Sequence, residues 1–178
     1  RNAAIPAPPF YGTRVLRDIP LNEVLDFLDL DELFRLQWGG RGSGEAYEKT
    51  VREEFEPNLA RLKADALASR WLVPQAVYGY FPVRSDGNTV IVYDPAAFEA
   101  DGGSLRELGR FTFPRQDGRD RLCLADYFAD ADRDQPDVLP LQVVTVGSAA
   151  TRRFEELQGR GEYTEAFYAH GLAVEAAE

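Results

Sequence analysis

At 178 residues the chain is long enough for one hydrophobic core. Its 44% hydrophobic content and two tryptophans place it among folded globular proteins rather than disordered ones. Twenty Lys and Arg against thirty Asp and Glu leave a formal net charge of −10. That balance argues against nucleic acid as a partner, because affinity for a phosphate backbone rests on clustered cations. The arginines here are interleaved with acids, as from Arg115 to Arg121. No run approaches about eighteen apolar residues and no basic-then-apolar leader opens the chain, so no membrane span is expected and the cytoplasm is the expected location.

In chain order, residues 1–20 read as an incoming linker. Pro6, Pro8, Pro9 and Pro20 forbid a continuous helix, and Phe10-Tyr11-Gly12 offers an aromatic anchor for some neighbour. From Asn22 to Trp38 the apolar spacing predicts one or two short helices, with Asn22 as a cap. Gly39 to Gly44 is a turn or loop. The strongest helix is predicted from Glu45 to Trp71, where Tyr47, Val51, Phe55, Leu59, Leu62 and Leu67 recur at helical intervals and Pro57 kinks or splits it.

Strands are predicted at Ala76–Phe81 and Val90–Tyr93, joined as a hairpin by Asp86-Gly87-Asn88. Leu108–Phe113 reads as a further strand ended by Pro114, and Leu122–Phe128 as either strand or helix. Leu139–Val146 is a β-branched strand closed by Gly147. A helix is predicted from Ser148 to about Leu157, broken at Gly159 and Gly161, and resumed through Ala166 to Glu178. The order predicts an α+β fold, with helices packed on a mostly antiparallel or mixed β-sheet in a single domain over residues 21–178.

Few residues carry chemistry by type and spacing alone. Cys123, the one cysteine, lies in the apolar run Leu122–Ala125 and reads as a buried, inert thiol. His170, the one histidine, has no nearby His or Cys, so no zinc site is expected within the chain. Gly39 to Gly44 lacks the Lys-Ser/Thr of a phosphate-binding loop, and Ser148 lies in no G-x-S-x-G. Asp26, Asp29, Asp31 and Glu32 cluster as helix-surface charge does. With no methionine and Arg1 at the start, the chain is expected to be part of a longer polypeptide, truncated at its C-terminal side.

Six segments in order resemble the S-adenosylmethionine-binding activation domain of cobalamin-dependent methionine synthase. They are Pro8 to Leu16, Asp29 to Gly39, Gly79-Tyr80-Phe81-Pro82, Leu122 to Phe128, Val143 to Gly147, and His170 to Glu178. The resemblance implies a domain that holds S-adenosylmethionine above cobalamin, so that an electron from a flavodoxin-type donor and the ligand's methyl restore methylcobalamin. Such a domain works by positioning and needs no catalytic acid or base.

Two ligand positions follow from the resemblance. Asp29, in Phe27-Leu28-Asp29-Leu30, matches an aspartate that contacts the ligand's amino acid portion, where its charge pairs with the ammonium. Glu178, in Ala176-Ala177-Glu178, matches a glutamate on a long helix of the same pocket. Their bland alternatives are a helix-capping aspartate and an exposed terminal glutamate. The family also carries an R-x-x-x-G-Y segment downstream, beyond Glu178. The implied partners are the cobalamin-binding domain, reached through residues 1–20, and a flavodoxin or flavodoxin-like reductase. Cobalamin belongs to the neighbouring domain, and zinc is expected only in other domains. The alternative is a non-catalytic docking fragment that meets a cobalamin domain or reductase without holding ligand.

Overall fold

The structure is a computed structural model that describes residues 4–100 and 102–178. The first three residues of the expected linker lie outside the described residues. Its elements are β1 (Gly12–Leu16), α1 (Leu21–Asp26), α2 (Leu30–Glu32, continued by a π-helical turn at Leu33–Gln37) and α3 (Glu45–Thr50). A second π-helical turn, Val51–Phe55, leads into α4 (Glu56–Ser69). Then follow β2 (Gln75–Asp86), β3 (Thr89–Tyr93), α5 (Pro95–Ala100), β4 (Glu107–Thr112), a 3₁₀ turn at Leu124–Tyr127, β5 (Asp137–Thr145), α6 (Ser148–Gly159) and α7 (Tyr163–Glu175). The class is α+β, as the sequence predicts. Among the described residues no helix is long and apolar enough to cross a membrane.

The chain forms two compact units. The first comprises residues 1–15 and 77–143 and carries most of the sheet. β2 and β3 pair antiparallel from Val83↔Val92 to Asp86↔Thr89, leaving Gly87-Asn88 as a two-residue turn. Gly87 sits at φ +58°, which a residue with a Cβ adopts only under strain, so the hairpin depends on it. β4 pairs antiparallel with β3, while β1 and β5 both pair with β2. Val83, Val90, Val92, Cys123 and Ala125 form the buried core of this unit, so Cys123 is the buried thiol expected.

Part of the stretch expected as a linker is regular structure. Residues 12–16 are a sheet strand, and Phe10 packs edge-on against Tyr78 and Tyr80 at 5.6 and 5.1 Å. The stretch between Pro9 and Pro20 is free of proline and keeps its N–H donors for pairing. Gly79 permits the pairing, since a Cβ there would collide with the Gly12 carbonyl.

The second unit, residues 16–76 and 144–178, is largely helical. Asn22 is not the cap of α1: Pro20 is, without a side-chain bond, and Asn22 lies inside the helix. The long helix predicted from Glu45 is interrupted as Pro57 requires. Proline cannot donate and its ring crowds the preceding turn, and the π-helical turn immediately upstream absorbs this, with Glu56 N–H bonding Val51 O.

The core of this unit is built around Trp38. Its ring lies 5.5 Å from Phe34, 5.7 Å from Phe55 and 4.8 Å from Tyr168, and its Nε1 donates to Tyr168 O at 3.1 Å. Gly171, one residue past His170 on α7, meets this indole face. A Cβ at that position would stand 2.6 Å from Trp38 Cδ1. On the same helix, Tyr168 OH donates to Glu54 Oε1 at 2.5 Å. Burial first, then the bond to Glu54, pushes the phenol up to about 12 from its ordinary 10.0.

Two measurements probe this packing. Gly171→Ala gains about 1 kcal/mol of helix propensity but overpacks the indole at a cost of about 1–3 kcal/mol. A lower urea midpoint is expected, and a higher one would mean the contact is not tight. A phenol raised in the folded state contributes stability that is complete below its unfolded pKa and lost as pH rises through the folded one. Unfolding free energy is therefore expected to fall between pH 10 and about 12. In Tyr168→Phe that part of the slope should disappear.

Candidate functional site

The site lies in the second unit, where the turn between α1 and α2 meets the end of α7. Asp29 leaves α1 in an extended conformation and caps the next helix, its Oδ1 accepting from Asp31 N at 3.0 Å and Glu32 N at 3.1 Å. The backbone N–H of Asp29 in turn donates to Glu175 Oε1 at 3.2 Å. The capping role named as the bland alternative for Asp29 is thus real. It leaves the carboxylate's second oxygen without a capping duty.

Glu175 is the residue that sequence reasoning missed. It is only 6% exposed, and its Oε2 has no hydrogen-bond partner among the described residues. Burial holds its pKa above the usual carboxylate range, and the charges of Glu178, Glu32 and Asp29 push the same way. The Asp29 N–H alone opposes them. Carboxylate oxygens of Glu32, Glu175 and Glu178 all lie within 4.8 Å of one another. A signal for Glu175 was present in the sequence: it is an acid in the otherwise apolar run Gly171 to Ala177, three residues before Glu178.

Glu178 lies beside Glu175, just past the end of α7. The helix ends at Glu175, Ala177 N bonds Val174 O in a tightened turn, and Glu178 follows it exposed. The expectation of a helix running to Glu178 is corrected accordingly. Glu175 and Glu178 border an apolar cleft of ≈ 250 Å³ lined also by Val24, Phe27, Leu28, Val144 and Ala176. A second cleft of ≈ 790 Å³ shares Val144, Ala177 and Glu178 with it and reaches Phe154 and His170, whose rings lie 5.0 Å apart. His170 is therefore an aromatic neighbour, outside the acidic group.

This geometry can hold a cation with an apolar or planar body attached. The carboxylates supply the charge partner and the two clefts supply the surface. Because asparagine caps as well as aspartate, Asp29→Asn is expected to keep the urea midpoint, whereas Asp29→Ala should cost about 1 kcal/mol. Equal losses in both variants would show that the charge itself, and not the cap, holds the turn.

Comparisons with known proteins agree on one family. The family model of the vitamin B12 dependent methionine synthase activation domain matches residues 20–178. Methionine synthases of Mycobacterium leprae and Mycobacterium tuberculosis are each 36% identical over 184 residues, covering 98% of this chain. The chain spans 15% of the length of each. A crystal structure of the MetH reactivation domain bound to AdoHcy superposes with a TM-score of 0.81 at 17% identity, over 98% of this chain and 54% of that one, which is a likeness of fold. With the family model spanning nearly the whole chain, the protein belongs to the activation-domain family of vitamin B12-dependent methionine synthase.

Proposed function

We propose that this chain binds S-adenosylmethionine at the acidic pocket and presents its methyl group to cobalamin on a neighbouring domain, as a reactivation step of methionine synthase. The observation that carries the reading is the buried, half-satisfied carboxylate of Glu175 among Asp29, Glu32 and Glu178, in a chain of this family. S-adenosylmethionine brings two positive centres, the α-ammonium and the sulfonium, to a cluster of carboxylates. Asp29 and Glu178 face the ammonium, and the adjoining clefts take the less polar remainder.

Cobalamin, when bound by its own domain, supplies the nucleophilic metal that accepts the methyl. The work of this chain is orientation. Methyl transfer from a sulfonium releases a neutral thioether and moves no proton, so the carboxylates act as anchors and not as acids or bases. Residues 1–20 are read as the lead-in from the cobalamin domain, with Gly12–Leu16 paired into the sheet. The electron donor is read as a flavodoxin-type protein, and a cytoplasmic setting follows from the same reading.

Calorimetric titration of S-adenosylmethionine tests this, with the chain alone and within a full methionine synthase carrying it. Asp29→Asn and Glu178→Gln are expected to weaken binding at least tenfold with stability retained. S-adenosylhomocysteine lacks the sulfonium charge. It should therefore bind more weakly, because one of the two attractions to the carboxylates is lost. Binding that ignores both substitutions, or no binding even in the full enzyme, would leave docking as the better account.

A further inference from the structure

Four carboxylates share one corner of the second unit, and the groups that shift Glu175 are all acidic apart from one backbone N–H. Acidic surface clusters usually mean nothing, because water solvates each member. Here one member is withdrawn from water: Glu175 is 6% exposed and its Oε2 has no partner among the described residues. A buried oxygen without a donor costs free energy that some ligand normally recovers. The Asp29 N–H already uses the other oxygen and fixes the carboxylate in place.

We propose that Glu32, Glu175 and Glu178 form a site for a hard divalent cation of the calcium class, which occupies the pocket in competition with the ammonium of S-adenosylmethionine. The donor set is all oxygen, which suits calcium or magnesium and not zinc. Tolerance of irregular geometry decides between the two. Calcium–oxygen distances of about 2.3–2.6 Å let two ligand oxygens stand up to about 5 Å apart across the ion. Magnesium at about 2.1 Å allows only about 4.2 Å and demands near-octahedral order. Donor oxygens that all lie within 4.8 Å of one another can reach one calcium ion, whose shell tolerates irregular placement. Three carboxylates on an open rim, with water completing the shell, place the dissociation constant at roughly 10⁻⁴ to 10⁻³ M. The cation site stands on geometry alone, while the competition rests on the ligand reading given above.

The test is calorimetric titration of calcium chloride and of magnesium chloride into the full chain in a non-chelating buffer. One calcium per chain is expected, with magnesium at least tenfold weaker. Glu178→Gln, an exposed position, should weaken calcium at least tenfold, and Glu45→Gln on remote α3 should leave it unchanged. Calcium and magnesium binding alike, with no response to Glu178→Gln, would be counter-ion screening of a chain of charge −10 and would overturn the site. A repeat under saturating S-adenosylmethionine should raise the calcium midpoint. An unmoved midpoint with both ligands bound overturns the competition. Absence of S-adenosylmethionine binding sinks the ligand reading, while the calcium isotherm still decides the cation site.

Discussion

The close approach of Gly171 to the Trp38 indole is the constraint on which the site depends. With no side chain at 171, α7 comes near enough for Trp38 Nε1 to donate to Tyr168 O. Glu175 lies four residues further along the same helix, hence on the same face one turn on. The depth set by the indole is the depth at which Glu175 reaches the Asp29 N–H. A bulkier residue at 171 would lift the carboxylate away from the turn it steadies.

The pocket's electrostatics follow from that placement. A glutamate at the water interface would pair with solvent and cost nothing. Held inside, it keeps one satisfied oxygen and one unsatisfied oxygen beside three further acids. Such an arrangement is locally unfavourable, and proteins keep such arrangements where a ligand relieves them. The capping duty of Asp29 belongs to the same economy of parts. One oxygen organises the helix start while the rest of the group remains available to a cation.

Much of the architecture was legible in the sequence because its signals are local. Asp86-Gly87-Asn88 announces the hairpin, Gly159 and Gly161 separate α6 from α7, and β-branched residues mark β5. β1 was not legible, since its partner is more than sixty residues away and only the Gly12–Gly79 approach betrays it. α5 was missed for a plainer reason: Pro95 to Ala100 is a short run with no apolar period. Within the site, Asp29 and Glu178 came from likeness to a family, and their meeting with Glu175 needed three dimensions. Helical spacing could flag Glu175 as an acid on a buried face, but only the fold shows that Asp29 and Glu32 stand opposite it.

The π-helical turn before Pro57 has a geometric effect beyond accommodating the ring. Tyr47, Val51, Phe55 and Leu59 all pack on the same core, yet they are spaced by four. In an uninterrupted α-helix each four-residue step overshoots a full turn by about 40°, so three steps would carry Leu59 about 120° away from Tyr47. The wider turn at Val51–Phe55 takes up that excess and returns the apolar stripe to phase. After it, Leu59, Leu62 and Ala66 continue in ordinary three-four steps. The turn therefore works as a phase corrector, which lets one helical rod present a continuous face from two sequence rhythms.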